Sequence, residues 1–174
     1  MTVAGAQSDQ DCAAIKKFQE RYGISPAAGM AGPLTLKLAQ RVAAVNPKLC
    51  EATATGTTAC VDLTNQMMWV VRDGAVVYGP AVVRTGMGGG YQTPAGKFKI
   101  QFKKYKEWSQ PYKVWLYNWQ YIVDGMGFHT TTTYIHDSFG SHGCVNLLPS
   151  DADKVFELTQ TGDAVNIFGR RPNT

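Results

Sequence analysis

The sequence contains no uninterrupted apolar run of about eighteen residues, the minimum for a membrane-spanning helix, so it predicts no transmembrane span. The segment Met1–Gly5 lacks the basic and then apolar parts of a secretory signal peptide. The run Gly88–Gly90 lacks the Gly-Lys-Ser/Thr ending of a phosphate-binding loop, which argues against nucleotide binding. No DNA- or RNA-binding motif is present.

Charged residues are also few. Lys, Arg, Asp and Glu make up 17% of the 174 residues, and the net charge is only +4. The chain has 18 glycines, 11% aromatic residues and 44% hydrophobic residues. This composition favours a turn-rich β protein, either one moderate domain or a small domain beside a medium one.

One cysteine lies in a short run with histidines nearby. Residues 141–146 read Ser-His-Gly-Cys-Val-Asn, so Cys144 follows a glycine and lies two residues after His142. His129 and His136 lie fifteen and eight residues upstream of the cysteine. A thiol beside imidazoles suits acyl transfer, because an imidazole accepts the thiol proton and the thiolate attacks a carbonyl. Backbone amides of the same run are placed to stabilise the resulting oxyanion.

Two motifs resemble those of the L,D-transpeptidase catalytic domain, a bacterial cell-wall cross-linking family. The family motif is an upstream His followed by Ser/Thr-His-Gly-Cys-x-Asn/Arg, and His129 with residues 141–146 resembles it. Residues 93–98 resemble the family's Thr-Pro-x-Gly-x-Phe segment. The resemblance implies an α+β fold, a mostly β catalytic sandwich with one helix over residues 57–170. It also implies that residues 93–98 begin a central strand and that the aromatic stretch 101–125 forms a lid or loops over the cleft.

The resemblance further implies a peptidoglycan L,D-transpeptidase that needs no metal or cofactor. The cysteine would attack the third residue, a diamino acid, of a tetrapeptide stem and expel D-Ala. The thioester would pass to the side-chain amine of another stem and give a 3–3 cross-link, and carbapenems would acylate the same thiol. Water as acceptor would give an L,D-carboxypeptidase, and another amine would attach a protein or an amino acid. A non-catalytic cell-wall binding protein is the alternative from a different class.

The family's catalytic roles map onto matching positions of this chain. By resemblance, Cys144 is the nucleophile, His129 is the proton acceptor, and Thr130 orients that histidine through its carbonyl. His142 and Gly143 are assigned to the oxyanion site.

The gap between His129 and the hexapeptide is shorter than in the family, and Thr130 replaces the more usual glycine or serine. His136 therefore stays open as an alternative base. The residues predicted to bind the substrate or support the loop are Ser141, Asn146, Phe128, Tyr91 and Trp108.

Two other interpretations of the cysteine are possible. A buried cysteine is often inert packing, although three histidines within fifteen residues argue against that here. His129, His136, His142 and Cys144 are also zinc-ligand types, but their spacing lacks the paired CxxC or HxxxH units of common zinc sites. No metal site is predicted.

The N-terminal region predicts two helices. Apolar residues recur at helical spacing from Cys12 to Tyr22, with Gly23 as a stop, and again from Pro33 to Val45. The string FQ…GI…G…G…T resembles a peptidoglycan-binding repeat domain; a plain helical hairpin docked on the main domain is the alternative. The predicted organisation is a helical module at 1–50, a linker at 51–56 and the catalytic domain at 57–170.

The remaining cysteines bear on location. With Cys144 as nucleophile, Cys12, Cys50 and Cys60 allow one disulfide and one free thiol. An antiparallel hairpin favours Cys12–Cys50, and Cys50–Cys60 is the rival pairing. A disulfide indicates an oxidising compartment. Together with the resemblance, this predicts an exported protein of the cell wall whose signal peptide is absent from this sequence.

Local patterns predict three further elements. Asp73-Gly74 between apolar runs predicts a β-hairpin. Ser150 is predicted to cap a helix that ends at Gly162, and residues 163–168 are predicted to form a closing strand.

Overall fold

A computed structural model describes residues 7–137 and 139–174. The chain divides into two compact units, one ending at Ala43 and the other spanning Ala44–Thr174.

The first unit contains two helices, as predicted. Helix α1 spans Asp9–Arg21, and Ser8 caps it: the Ser8 hydroxyl accepts from the Asp11 amide at 3.1 Å, and the Asp11 carboxylate accepts from the Ser8 amide at 3.0 Å. These two bonds form a capping box that satisfies the first-turn donors. Helix α2 spans Pro33–Ala43, with proline at the first position.

A buried glutamine holds the loop between these helices. Gln19 is 3% exposed; its amide donates to the Met30 carbonyl at 2.8 Å and to the Thr35 hydroxyl at 3.0 Å, and it accepts from the Gly29 amide at 2.9 Å. Gly29 has a φ of +74°, and a Cβ there would lie 2.7 Å from the Cys12 carbonyl oxygen. Three residues of the FQ…G…T string therefore serve one loop.

Within the described residues, the second unit forms one nine-stranded sheet in the order β4-β9-β1-β2-β3-β8-β7-β6-β5. A short 3-10 helix at Pro47–Cys50 precedes it, and helix α3 spans Pro149–Leu158. The strands are β1 Thr57–Asp62, β2 Met67–Arg72, β3 Ala75–Arg84, β4 Gly96–Lys99, β5 Phe102–Ser109, β6 Val114–Val123, β7 Met126–Thr130, β8 Val145–Leu147 and β9 Ala164–Phe168.

The sheet is curled around a main apolar core, and a smaller buried cluster surrounds the Cys50–Cys60 disulfide. Helix α3 packs on β6 and β7. Core side chains come from β1, β2, β3, β7, β8, β9 and α3, and include Val61, Val70, Phe128, Val145, Leu147 and Val155. Burying these side chains stabilises the fold by roughly 25 cal/mol for each Å² of apolar area removed from water. The mostly β fold, the hairpin at Asp73-Gly74 and the closing strand are as predicted.

Two local predictions are wrong. Strand β4 is an edge strand paired only with β9 among the named strands, not a central one. Helix α3 begins at Pro149 with Leu148 as its N-cap, without a capping side chain, and ends at Leu158, short of Gly162. The fixed φ of proline starts the helix two residues earlier than the Ser150 pattern indicates.

The preferred disulfide pairing is also wrong. Cys50 bonds to Cys60 with a Cα–Cα distance of 5.6 Å, and Cys12 is a free thiol. After α2 ends, the 3-10 helix that carries Cys50 lies against β1 and β9, where the Asn166 side chain donates to the Cys50 carbonyl at 2.8 Å. Cys50 thus belongs to the second unit, whereas Cys12 lies in α1 of the first.

Candidate active site

The cysteine run and its upstream histidine meet on a parallel strand pair. In the register of β7 and β8, His129 lies opposite Asn146 and Phe128 opposite Val145. Side chains alternate along a strand. Phe128 and Val145 therefore enter the core, while His129 and Asn146 share the other face. Cys144 lies two residues before Asn146, just ahead of β8.

The Cys144 thiol lies over the start of β7. Its Sγ is 3.9 Å from the Gly125 carbonyl oxygen. Burial raises the pKa of the thiol, and hydrogen bonding from the Gly127 backbone offsets this only in part. The resting thiol is therefore protonated at neutral pH and needs a base before it can attack.

His129 is 9% exposed and has a defined contact at each ring nitrogen. Nδ1 lies 2.9 Å from the Thr130 carbonyl oxygen, and Nε2 lies 2.8 Å from the amide nitrogen of Asn146. Burial lowers the pKa of His129, the Arg84 charge lowers it further, and the Thr130 carbonyl opposes both. Because a carbonyl only accepts and an amide NH₂ only donates, the ring is neutral with its proton on Nδ1.

The other two histidines have different surroundings. His136 lies in the loop after β7, with its ring 5.3 Å from that of Tyr134. His142 is exposed and lies between two tyrosines, 4.8 Å from the Tyr91 ring and 4.6 Å from the Tyr112 ring. Tyr112 belongs to the β5–β6 turn, so these stacked rings join that turn to the cysteine run.

Hydrogen bonds brace the turn before the cysteine. The Ser141 hydroxyl donates to the Cys144 carbonyl at 2.5 Å and accepts from the Gly143 amide at 3.2 Å. Gly143 has a φ of +110°, a backbone conformation that favours glycine. A Cβ there would lie 2.6 Å from the Met126 sulfur, so any other residue would also have to displace the Met126 side chain. In this structure the Gly143 amide serves the turn rather than an open oxyanion site.

One face of the β5–β6 hairpin carries aromatic rings toward the site. In the register Trp108 lies opposite Trp115, and Lys106 lies opposite Tyr117. Farther along β6, the Trp119 ring is 6.1 Å from the His129 ring. The exposed rings on this face are those of Phe102, Trp108, Trp115 and Tyr117.

One predicted substrate contact is wrong. Phe128 is fully buried in the core, because alternation on β7 turns it away from the face that carries His129. Tyr91 and Trp108 are exposed, whereas Ser141 and Asn146 are buried and bonded within the site.

Sequence reasoning missed two residues of the site. Arg84, 8% exposed, donates to the side-chain Oδ1 of Asn146 at 3.2 and 3.0 Å and forms an ion pair with Asp137. Thr93 donates to the Gly143 carbonyl at 2.7 Å and accepts from the Gly86 amide at 2.9 Å. Thr93 lies inside the 93–98 segment that resembles the family motif, so that segment could have pointed to it. The sequence marks Arg84 only as a charged residue after an apolar run.

In the part of the chain that the structure describes, no three His, Cys, Asp or Glu side chains are grouped to hold a metal ion. Among the same residues, no helix is long and apolar enough to cross a membrane.

Comparisons with known proteins agree with this geometry. Residues 56–167 match the model of the YkuD family, the L,D-transpeptidase catalytic domain. An L,D-transpeptidase structure from Stackebrandtia nassauensis shares 55% identity at a TM-score of 0.95, over 100% of this chain and 85% of that one. A C442S mutant of the Enterococcus faecium L,D-transpeptidase shares 29% identity at a TM-score of 0.54, over 65% and 50% of the two chains. The L,D-transpeptidase LdtMt1 in complex with imipenem has the same fold at 19% identity and a TM-score of 0.58, over 65% and 59%.

The family match and the structural likeness define an L,D-transpeptidase catalytic fold. The chain belongs to the L,D-transpeptidase family, since the family model covers more than half of it. A search of curated proteins found no match.

Proposed function

We propose that this protein is a cysteine-dependent peptidoglycan L,D-transpeptidase with Cys144 as nucleophile and His129 as proton acceptor. The observation that carries the proposal is the parallel β7–β8 pairing, which brings the Cys144 run beside His129. The Nδ1–H tautomer of His129 leaves Nε2 unprotonated, and this nitrogen takes up a proton after it gives up the hydrogen bond from the Asn146 amide. His136 lacks this strand position, which favours His129 as the base.

In the first half-reaction, the Cys144 sulfur attacks the carbonyl of the third stem residue, a diamino acid, while Nε2 of His129 takes the thiol proton. The tetrahedral intermediate collapses by breaking the bond to the terminal D-Ala nitrogen. His129 returns the proton to that nitrogen, and D-Ala leaves as a free amino acid. A thioester on Cys144 remains.

In the second half-reaction, the side-chain amine of another stem attacks the thioester carbonyl. His129 accepts a proton from that amine, the C–S bond breaks, and His129 returns the proton to the departing sulfur to restore the thiol. The product is a 3–3 cross-link. Because burial raises the thiol pKa and lowers the His129 pKa, proton transfer accompanies attack rather than producing a resting ion pair.

The oxyanion is assigned to backbone amides of the 142–144 turn. The Gly143 amide, now bonded to Ser141, would have to turn toward the substrate, whereas the turn itself is braced by Thr93. A single preorganised donor contributes roughly 3–4 kcal/mol to such a transition state. We place His142 with its two tyrosines at the rim, as a positioning side chain.

The aromatic face of the β5–β6 hairpin is the proposed substrate surface. Trp108, Trp115 and Tyr117 present exposed rings on the strand face that leads to Trp119 and His129. Lys106 lies 4.1 Å from the Trp115 ring centroid and supplies a cation on the same face. Flat rings with an adjacent ammonium suit sugar rings and carboxylate-bearing stem peptides. Tyr91 joins this surface from the opposite side of His142.

For the first unit we propose peptidoglycan binding. Support comes from its repeat-like string, whose residues Gln19, Gly29 and Thr35 make one connected set of hydrogen bonds. The Cys50–Cys60 disulfide supports an exported, cell-wall location, because disulfides persist in oxidising compartments.

Intact-mass measurement tests the function directly. The protein is incubated with tetrapeptide stems, or with imipenem, the ligand of a related structure. We expect a covalent adduct on the wild type and on Cys12→Ser, which removes the other free thiol, and none on Cys144→Ala. No adduct on any variant would reject the enzyme in favour of a non-catalytic wall-binding protein.

The released products identify the acceptor. Cross-linked dimers identify a stem amine and support the transpeptidase. Tripeptides alone identify water and assign an L,D-carboxypeptidase, whereas conjugates with an added amine identify an attachment reaction.

A further inference from the structure

Arg84 is the buried end of a hydrogen-bonded chain that reaches the catalytic histidine. It ends β3 and lies opposite Asn146 in the β3–β8 register. Its Nε and Nη2 donate to Oδ1 of Asn146 at 3.2 and 3.0 Å. A guanidinium has donors only, so the oxygen of the Asn146 amide must face Arg84.

This orientation determines what His129 meets. With its oxygen held by Arg84, the Asn146 amide turns its nitrogen toward Nε2 of His129, 2.8 Å away. On the other side of the ring, Nδ1 faces the Thr130 carbonyl at 2.9 Å. Donation therefore runs in one direction from Arg84 through Asn146 and His129 to Thr130. A reversed amide would place donors against donors at Arg84.

We propose that Arg84 is a positioning residue for His129: it fixes the Asn146 amide, whose N–H bonds to Nε2, and thereby keeps that nitrogen unprotonated. Nε2 then takes up the Cys144 proton once that N–H is displaced. The catalytic role of Arg84 rests on the proposed function, but its effect on the tautomer of His129 does not. A reversed Asn146 amide would offer oxygen to Nε2, and the Nε2–H tautomer cannot accept a thiol proton.

The same series of hydrogen bonds also affects how His129 gives its proton to the leaving amine. Once Nε2 is protonated, it faces the donor NH₂ of Asn146 near the positive charge of Arg84, so the imidazolium is held weakly and passes its proton to the leaving amine. The groups around His129 are the Arg84 cation from β3, the Thr130 carbonyl from β7, the Asn146 amide from β8 and the uncharged Trp119 from β6. Arg84 in turn interacts with Asp137 and Arg171.

Ring-nitrogen NMR of ¹⁵N-histidine-labelled protein tests the proposal without any substrate. We expect the Nδ1–H tautomer of His129 in the wild type and a substantial Nε2–H population in Arg84→Met. Acylation of Cys144 by imipenem should slow about tenfold to hundredfold in Arg84→Met. This loss does not exceed the roughly 10²–10⁴-fold rate enhancement that a general base contributes. Arg84→Lys keeps the positive charge with fewer directed donors. Its Nε2–H population and its acylation rate should lie between those of the wild type and Arg84→Met.

A matched control separates amide orientation from loop anchoring. Arg84 also donates to the Tyr134 carbonyl at 3.0 Å and pairs with Asp137, both in the loop after β7. Asp137→Asn weakens that anchor without touching Asn146, so it should keep the wild-type tautomer and acylation rate. A tautomer change in Asp137→Asn equal to that in Arg84→Met would overturn the proposal, as would a folded Arg84→Met with the wild-type tautomer.

Asn146→Asp decides the matter if Arg84→Met does not fold. This variant keeps an acceptor for Arg84 but offers only acceptors to Nε2, so we expect a proton on Nε2, in the Nε2–H tautomer or in the imidazolium, and retention of Nδ1–H alone would sink the idea. Failure of the two proposals is distinguishable. The expected tautomers without any Cys144 adduct would reject the transpeptidase and leave the hydrogen-bonded chain intact.

Discussion

The Thr93 hydroxyl donates to the carbonyl of Gly143 at 2.7 Å, across fifty residues of sequence. Both groups are buried, and the same hydroxyl accepts from the Gly86 amide at 2.9 Å. Ser141, just ahead in the turn, is held in turn by the Thr85 carbonyl, 3.0 Å from its amide. The turn that presents Cys144 is therefore positioned by the segment that follows β3.

Thr93→Val should impair catalysis and stability together, because it removes the hydroxyl with little change of shape. Two buried backbone groups lose a partner, at a cost of about 1–3 kcal/mol each. A displacement of the Cys144 turn by roughly 1 Å lowers turnover about a hundredfold. Thermal unfolding and the rate of imipenem acylation measure the two effects. Thr93→Ser, which retains the hydroxyl, is the control, and a Thr93→Val variant as active as wild type would contradict the assignment.

Alkylation of Cys144 by iodoacetamide should be slow at neutral pH and should accelerate as the pH rises beyond the usual thiol range. Burial raises the pKa of the thiol and lowers the pKa of His129, so both shifts oppose a thiolate–imidazolium pair. The measurement uses Cys12→Ser, in which Cys144 is the remaining free thiol. A rate that is already maximal below pH 7 would show that the resting site is an ion pair.

Gly143→Ala should be more damaging than the same change at another glycine of similar backbone conformation. Its φ is +110°, and the new Cβ would lie 2.6 Å from the Met126 sulfur. Gly162→Ala is the matched control, since its φ is +95° and a Cβ there meets no atom within 4 Å. The backbone conformation costs roughly 1–3 kcal/mol at either position. Adding Met126→Ala should restore part of the stability of Gly143→Ala, as read by denaturant unfolding, and no restoration would mean that Met126 is not the obstacle.

Removal of the disulfide by Cys50→Ser should lower the free energy of unfolding by about 2–3 kcal/mol, as expected for closure of a short loop. The two cysteines are ten residues apart. Cys12→Ser should leave stability unchanged, because Cys12 is a free thiol. Urea unfolding of both variants makes the comparison, and a similar loss of stability in Cys12→Ser and Cys50→Ser would support the Cys12–Cys50 pairing.

Local patterns predicted much of the fold. The two N-terminal helices, the hairpin at Asp73-Gly74 and the closing strand all follow from residues adjacent in sequence. The start of α3 was misplaced because Ser150 and Pro149 are both good helix-start residues, and proline prevails here. The edge position of β4 depends on which strand it meets, which no local pattern contains.

The candidate site divides in the same way. The sequence identified Cys144 with His129, because motif chemistry is local and the resemblance is specific. It assigned Phe128 to the substrate, although strand alternation turns that ring into the core. The role of Arg84 stayed hidden, since a charge after an apolar run is compatible with solvent exposure until β3 pairs with β8.

By itself, the sequence determined a mostly β protein with a cysteine–histidine acyl-transfer motif. Tertiary structure alone decided which cysteines pair, that His129 lies opposite Asn146 in the β7–β8 register, and how the Asn146 amide faces Nε2 of that ring. The physical reason is distance along the chain. The contact of Nδ1 with the Thr130 carbonyl joins neighbouring residues, whereas the contact at Nε2 comes from Asn146, seventeen residues away, and that amide is oriented by Arg84, sixty-two residues before it.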